Sequence, residues 1–198
     1  AALHGIDPSD AQLAFARSRP VARFAQFIAG NAMALPFPED RFDAAVMPLV
    51  ISFVPRPATG VGEMARVVRP GGVLVLAVPA YEWAWSDHDV TLGHRRRYTA
   101  PRLRRVAEDA GLECLKVTYF HSWLAPIAFL LRKTPLRLLL RGDQEEASAV
   151  GPTLNRVFVT LTAIERRVIR RATVPFGLSV LLVARRPAVG ATTAAPAR

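Results

Sequence analysis

One stretch of the chain indicates its fold class: Arg-Pro-Gly-Gly-Val-Leu-Val-Leu-Ala-Val, residues 69–78. Pro70 and Gly71 suit the two central positions of a type II turn, because proline presets φ at the first and glycine accepts the positive φ of the second. The residues that follow, 73–78, are all apolar. Such continuous runs are typical of strands that a parallel sheet buries on both faces. The stretch therefore predicts a turn that leads into a central strand.

Outward from this strand, short apolar runs alternate with helical patterns in the first half of the chain. Strands are predicted at residues 2–7, 23–29 and 42–47. Helices are predicted from the capping-box spacing at Ser9 to Arg17 and across residues 61–68, where apolar residues recur at helical spacing. This alternation predicts an α/β domain with a doubly wound sheet.

The second half of the chain departs from this alternation. Its predicted elements are a long loop at 79–98, a helix at 99–110, a strand at 112–120, helices at 122–131, 134–141 and 154–168, and a last strand at 176–184. We expect four units: a core at 1–119, a helical insertion or lid at 120–171, the final core strand at 172–186 and a disordered tail at 187–198.

Composition excludes several classes of protein. A chain of 198 residues with 51% hydrophobic content fits one globular domain. Its single cysteine, Cys114, excludes a disulfide framework and a cysteine-based zinc site. The longest uncharged stretches, residues 24–38 and 117–131, have 15 residues each and are too short to span a membrane. No secretory leader follows Ala1, so we expect a cytoplasmic protein.

The net charge of +10 comes from the second half of the chain alone. Residues 1–90 carry 7 Arg against 9 Asp and Glu, whereas residues 91–198 carry 19 Lys and Arg against 7. A solvated basic surface is the plain interpretation, because 24 of the 26 basic residues are arginine, as a GC-rich genome produces. The alternative is an anionic partner, such as a phosphate-bearing substrate, a lipid headgroup or RNA.

Four short segments stand in an order that is typical of one enzyme family. They are residues 5–9 (Gly-Ile-Asp-Pro-Ser), 30–37 (Gly-Asn-Ala-Met-Ala-Leu-Pro-Phe), 42–43 (Phe-Asp) and 63–72 (Glu-Met-Ala-Arg-Val-Val-Arg-Pro-Gly-Gly). They resemble the class I S-adenosylmethionine-dependent methyltransferases of the type-11 kind, and residues 81–98 are similar to a narrower bacterial branch. The resemblance covers residues 2–186 and implies a Rossmann-like methyltransferase sheet whose core binds S-adenosyl-L-methionine.

In an open α/β sheet the ligand lies beyond the carboxyl ends of the strands. The carboxylate of Asp7 ends a predicted strand there and can accept both ribose hydroxyls of a nucleoside, although it could equally be a turn residue. The family has aspartate where this chain has Asn31, so asparagine keeps an acceptor for the adenine but loses the charge; an ordinary turn is the alternative. The resemblance implies these cofactor contacts: Asp7, Pro8, Asn31, Ala32, Met33 and Met47. For Met47, core packing is an equal alternative.

One feature of the family is absent from the sequence. The glycine-rich loop, a Gly-x-Gly pattern between a strand and a helix, does not occur, and the resemblance places it before residue 1. We therefore expect an N-terminally truncated chain that lacks about 30 or more residues, the size of the opening of a βαβ unit. The missing strand would lie between those at 2–7 and 42–47, and cofactor binding would be weak.

The predicted loop at 79–98 lies where the acceptor should approach, and it offers candidates for general base catalysis. We expect His94 or His88 to act as the base, oriented by Asp87 or Asp89, because a hydroxyl or phenol acceptor must lose a proton. The alternative is a lid loop whose side chains only bond its own backbone. These four residues match no established metal-ligand spacing, so we expect no metal.

The same region predicts the acceptor contacts Trp85, Arg97 and Tyr98. Arginine binds phosphate or carboxylate in bidentate fashion, which favours an anionic acceptor. Trp83, Trp85 and Trp123 could wall an apolar acceptor pocket or pack in the core. Residues 123–131, followed by several cations, leave open a peripheral membrane contact, with a lid or a dimer contact as the safer interpretation.

These observations predict a methyltransferase that moves a methyl group from S-adenosyl-L-methionine to a small-molecule or lipid-linked acceptor, at oxygen or carbon. The alternative from another class is a non-catalytic binding module with the methyltransferase fold, which Asn31 and the absent glycine loop favour. An RNA methyltransferase is disfavoured, because no Asn/Asp-Pro-Pro-Tyr/Phe signature occurs and Cys114 lies in a predicted strand. We expect no DNA partner. The methylated atom and the oligomeric state cannot be predicted from the sequence.

Overall fold

The computed structural model describes residues 2–133 and 151–188, apart from the side chains of Val21, His88 and residues 131–133. The predicted helix at 134–141, the residues 142–150 that follow it and the tail from residue 189 lie outside the described residues. The strands are β1 (Leu3–Asp7), β2 (Ala25–Ala29), β3 (Phe42–Pro48), β4 (Val68–Pro79), β5 (Glu113–Phe120) and β6 (Ser179–Arg185). The helices are α1 (Asp10–Ser18), α2 (Pro57–Val67), α3 (Asp87–Leu92), α4 (Ala100–Asp109), α5 (Ala125–Lys133) and α6 (Pro152–Arg171).

The strands form two sheets. In the smaller sheet β1 pairs with β2 in parallel. In the larger sheet the order is β3-β4-β6-β5, with β3 and β4 parallel and β6 antiparallel to both of its neighbours. The sheets are separate between β1 and β3, where the resemblance expects one further strand, and residues 2–133 and 151–188 supply none there.

Helices cover both faces of the larger sheet, which confirms the doubly wound architecture. Successive side chains of a strand point to opposite faces. Cys114 on β5 faces α4, where its thiol contacts the Arg104 carbonyl. A register shift between Cys114 and Lys116 interrupts this alternation, so Lys116 points to the other face and donates to the Ile169 carbonyl of α6. The core lies between the sheet and the helices α2 and α4, and its fully buried members include Val61, Leu74, Leu76, Val78, Leu103, Val180 and Leu182.

Three predicted elements differ from the structure in ways that local chemistry explains. The strand predicted from residue 23 begins at Ala25, because Pro20 opens a 3₁₀ helix that runs to Phe24. The predicted turn at Pro70 and Gly71 lies inside β4, where Gly71 takes φ 79° and the pairing with β3 shifts register. The predicted loop at 79–98 contains a 3₁₀ helix, Glu82–Ala84, and the capped helix α3.

Within the described residues, no helix combines the length and apolar character that a membrane crossing requires.

A close backbone contact next to β6 gives a first testable prediction. A Cβ at Gly177 would lie 2.3 Å from the Phe120 carbonyl oxygen, so Gly177→Ala must displace backbone at the end of β5. We expect a loss of about 1–3 kcal/mol in the free energy of unfolding, measured by urea denaturation. Gly62→Ala is the control, because its Cβ would meet nothing within 4 Å and alanine favours the helix α2. Equal destabilisation by both substitutions would contradict the close packing at Gly177.

Candidate functional site

Three strands of the larger sheet end in strained backbone at the same edge. Leu49 follows β3 with φ 60°, Tyr81 lies two residues past β4 with φ 57°, and His121 follows β5 with φ 58°. Because β3, β4 and β5 run in the same direction, these residues share the carboxyl edge. Bulky residues in the left-handed region cost of order 1–3 kcal/mol each and cluster at functional sites. The carboxyl edge is therefore the candidate site.

On the smaller sheet, the structure brings Asp7 and Asn31 together. Asp7 ends β1 opposite Ala29 of β2, and its carbonyl accepts from the Gly30 N–H at 3.2 Å. One carboxylate oxygen of Asp7 accepts from the Ser9 N–H at 2.8 Å, while the Ser9 hydroxyl caps α1. Asp7 is therefore a turn residue whose second oxygen can still accept a ribose hydroxyl.

Asn31 also has a structural role. Its side-chain oxygen accepts from the Met33 N–H at 2.9 Å, as in an ordinary turn, and keeps one further lone pair for an adenine amino group. Ala32 and Met33 are half-buried beside it, and Pro8 is exposed next to Asp7. The acceptor sites that remain on Asp7 and Asn31 fit the ribose and the adenine of the predicted cofactor.

Met47 differs from the other predicted cofactor contacts. Its side chain is 6% exposed and belongs to the core cluster between the sheet and α2. The side chains of β3 alternate between faces, and Met47 falls on the buried one. The core alternative therefore describes Met47 better than a contact with the methionine part of a cofactor.

A buried carboxylate organises the segment after β4. Asp89 is fully buried in α3. Its oxygens accept from Arg97 Nε and Nη2 at 2.9 Å each, and from the Ser86 N–H at 2.9 Å. His94 Nδ1 lies 2.9 Å from the same carboxylate. The cluster of Asp89, His94 and Arg97 is hereafter called the Asp89 cluster.

Burial of Asp89 opposes its charged form. The hydrogen bonds from Arg97 and His94 outweigh that burial and hold the pKa of the Asp89 carboxyl well below its usual range. Asp89 is therefore an anion at neutral pH, and it favours the His94 tautomer that carries its proton on Nδ1. That tautomer leaves Nε2 as a proton acceptor.

His94 lies over the segment that follows β3. Its ring centroid is 4.5 Å from that of Phe53, and the adjacent Arg95 N–H donates to the Ser52 carbonyl at 2.9 Å. Of the two predicted orienting carboxylates, Asp89 contacts His94, whereas Asp87 is exposed on α3. The side chain of His88 lies outside the described part of the structure.

The predicted acceptor contacts Arg97 and Tyr98 lie inside the protein. Arg97 is 8% exposed, and besides Asp89 its guanidinium bonds the Ala80 carbonyl at 3.1 Å. Tyr98 is 1% exposed in the core cluster. These contacts argue against a direct role of either side chain in binding an anionic acceptor, because the arginine already has a buried counter-ion. Trp85 is half-buried after the 3₁₀ helix Glu82–Ala84.

An apolar pocket of about 530 Å³ opens on the carboxyl edge. Its lining residues are Tyr81, Trp83, Ala125, Pro126, Phe129, Leu130 and Phe176. Of the three tryptophans predicted as pocket walls, only Trp83 lines it; Trp123 packs on Phe158 instead, with ring centroids 5.0 Å apart. The other walls were not predicted from the sequence, although the spacing of Ala125 and Phe129 places them on one helix face.

Tyr81 joins the pocket to the sheet. Its ring stacks on Tyr119 of β5 at 5.2 Å between centroids. Burial, together with the hydrogen bond to Tyr119, raises the pKa of Tyr81 to about 12. The phenol therefore stays neutral and paired at the wall of the pocket. In the described part of the chain, no group of three or more His, Cys, Asp or Glu side chains could hold a metal ion.

Comparison with known proteins finds a family match and curated relatives for part of the chain. Residues 1–76 match the family model described as a methyltransferase domain. An uncharacterized methyltransferase of Mycobacterium avium is 33% identical over 90 residues, which cover 46% of this chain and 36% of that protein. The UbiE ubiquinone/menaquinone biosynthesis C-methyltransferase of Methylobacterium nodulans is 46% identical over 70 residues, 34% of this chain and 28% of that enzyme. The matches thus span about a third of these curated relatives.

A solved structure extends the likeness to the rest of the fold. Geranyl diphosphate C-methyltransferase from Streptomyces coelicolor, in complex with Mg²⁺, geranyl diphosphate and S-adenosyl-L-homocysteine, superposes with a TM-score of 0.58 at 17% identity. The match covers 94% of this chain and 63% of that enzyme. The Rossmann-like methyltransferase fold is confirmed.

The Asp89 cluster predicts a pH-dependent loss of stability. Asp89→Asn leaves the Arg97 guanidinium buried without a counter-charge, so we expect about 3–5 kcal/mol less free energy of unfolding at pH 7. Because folding lowers the pKa of Asp89, its contribution is complete above the unfolded pKa, about 3.9, and is lost as the pH falls through the lower folded pKa.

Urea denaturation from pH 8 to pH 3 measures this contribution of Asp89 to the free energy of unfolding. The difference in the free energy of unfolding between wild type and Asp89→Asn should be constant down to about pH 5 and shrink below about pH 4. The control is Asp87→Asn on the exposed side of α3, with an expected effect below about 0.5 kcal/mol. A difference that grows on acidification would contradict the assigned role of Asp89.

Proposed function

We propose that the chain is a class I S-adenosyl-L-methionine-dependent methyltransferase, as the partial family match and the fold support. It transfers a methyl group to an acceptor at oxygen or carbon, with His94 as general base. The acceptor is a small molecule or a lipid-linked molecule. The observation that carries the proposal is the contact between His94 Nδ1 and the buried Asp89 carboxylate at 2.9 Å.

Methyl transfer requires the protein to position the two reactants and to provide one proton acceptor. Methyl transfer from a sulfonium is an in-line displacement, so the protein contributes by aligning the two reactants and excluding water. S-adenosyl-L-methionine supplies the methyl group when it is bound. An acidic acceptor O–H or C–H must lose its proton as the new bond forms, and His94 Nε2 can take it.

The order of the residues along the carboxyl edge suits a cofactor site, a base and an acceptor pocket that lie side by side. Asp7 and Asn31 lie on the smaller sheet and would hold the nucleoside half of the cofactor. His94 lies over the segment after β3, the edge strand of the larger sheet, whose Phe42 ring contacts the His4 ring of β1. The apolar pocket lies farther along the edge, between Tyr81 and Phe176. The base thus stands between the proposed cofactor site and the pocket.

A second candidate function is a binding module that keeps the fold without catalysis. Asn31 lacks the charge of the aspartate that the resembled family has at this position, which supports weak cofactor binding. Cofactor binding separates the two candidates, because a non-catalytic module would not need it.

Binding of S-adenosyl-L-homocysteine is the first test. At 100 times its Kd the ligand should add about 2.7 kcal/mol to the unfolding free energy, a shift of about 5–10 °C in Tm. Asp7→Ala should weaken binding about tenfold or more, since it removes the acceptor of the ribose hydroxyls. Asn31→Asp should strengthen it by restoring a charge. Asp10→Ala is the matched control, because Asp10 is an exposed carboxylate three residues away.

Calorimetric titration gives the Kd values directly. If S-adenosyl-L-homocysteine does not bind the wild-type chain, the catalytic proposal fails and the binding module stands. If Asp7→Ala and Asp10→Ala bind equally well, the nucleoside site is misplaced.

The role of His94 is tested by turnover. With tritiated S-adenosyl-L-methionine and a panel of phenols and hydroquinones, His94→Gln should lower kcat by about 10²–10⁴-fold, because the base is lost. The Kd of S-adenosyl-L-homocysteine should stay unchanged. His88→Gln tests the alternative base predicted from the sequence. Loss of activity in His88→Gln with full activity in His94→Gln would sink the assignment.

A further inference from the structure

The apolar pocket has a composition that restricts its ligand. The lining side chains are hydrocarbon apart from two groups: the Tyr81 hydroxyl, which is paired with Tyr119, and the indole N–H of Trp83. A ligand group that enters the pocket therefore meets one donor and otherwise only apolar side-chain surface. Phosphates, sugars and charged groups would lose most of their water contacts without compensation, so the pocket selects against them.

The pocket is large enough for a ligand and has a firm wall. Its volume of about 530 Å³ falls within the usual range for small-molecule sites. One wall is α5, whose approach is fixed by Glu165 of α6. That carboxylate accepts from the His121 N–H at 2.8 Å and from the Ser122 N–H at 2.7 Å. Glu165 is 7% exposed, so this anchor of the segment before α5 is shielded from water.

Two half-exposed aromatic side chains at the pocket point to an apolar occupant. Phe129 is 50% exposed on α5, and Phe176 is 49% exposed before β6. An apolar ligand would cover both rings, and removal of apolar surface from water is the main driving force of such binding.

The position of the pocket relative to His94 sets the length of the ligand. His94 lies over the end of β3, and the pocket lies beside β6, two strands away in the order β3-β4-β6. Neighbouring strands are about 4.8 Å apart, so the two places are separated by about 10 Å along the edge. A compact molecule that reacts at His94 would leave the pocket empty, whereas a head group with a flexible chain would reach both.

We propose that this pocket binds the hydrocarbon chain of an amphipathic acceptor, acyl or isoprenoid, whose polar head reacts at His94. The inference rests on the proposed function for the role of His94, but the pocket and its apolar walls stand without it. Trp83 lies in the wall and provides an optical readout that needs neither cofactor nor turnover.

Quenching of tryptophan fluorescence tests the proposal on the full 198-residue chain. The probes are brominated fatty acids of 8 to about 16 carbons and brominated isoprenoid alcohols, each below its critical micelle concentration. Affinity should rise about fourfold per added methylene until the pocket is full. Comparison of the two series distinguishes an acyl from an isoprenoid chain. Trp83→Phe should abolish most of the quenching.

Two variants distinguish binding of the probe in the pocket from its adsorption elsewhere on the protein. Ala125→Phe fills the pocket and should weaken chain binding at least tenfold, and Ile127→Phe, on the same helix but away from the lining, is the matched control. Because Ala125 is buried, Phe129→Ala is the second variant, and it should weaken binding about threefold to tenfold without overpacking. Thermal unfolding confirms that each variant is folded.

The outcomes are distinguishable from those of the proposed function. Binding of S-adenosyl-L-homocysteine without any chain-length dependence would overturn this inference and leave the methyltransferase proposal intact. Chain binding without S-adenosyl-L-homocysteine binding would support the pocket assignment and overturn the catalytic proposal. Equal quenching in Ala125→Phe and Ile127→Phe would place the chain elsewhere and overturn the inference.

Discussion

The buried carboxylate of Asp89 is the interaction on which the carboxyl edge depends. It accepts from the Ser86 N–H, which starts α3, and from Arg97, which ends the segment. It also fixes the ring of His94. A lone buried carboxylate would be costly, so its contacts must form together or not at all. The hydrogen bonds of the Asp89 carboxylate thus stabilise a segment that carries no regular hydrophobic pattern.

The segment after β4 contacts residues on both sides of that strand, because β4 lies inside the sheet. Its far end holds His94 against Phe53 beyond β3. Its near end holds Tyr81 against Tyr119 of β5. The sheet order β3-β4-β6-β5 places these contacts on either side of β4. A base and an apolar pocket are therefore held by one folded segment, and a shift in the Asp89 cluster would alter both.

Local sequence patterns predicted the parts of the molecule that local chemistry controls. The apolar run of β4, the strand that ends at Asp7 and the turn at Asn31 follow from neighbouring residues. The split between two sheets and the reversed direction of β6 depend on distant pairing, which periodicity does not reveal. Arg97 was predicted to bind an acceptor, because its charge was visible and its buried partner was not. The pocket was only partly predicted, since its walls come from three separate segments.

The tautomer of His94 is the most direct test of this account. A long-range ¹H–¹⁵N correlation spectrum of the ¹⁵N-labelled protein reports which ring nitrogen carries the proton, and His94→Gln assigns the signal. The account predicts that neutral His94 is protonated on Nδ1, bonded to Asp89, with Nε2 bare. A neutral ring protonated on Nε2 would leave no proton acceptor at the edge and would contradict the account.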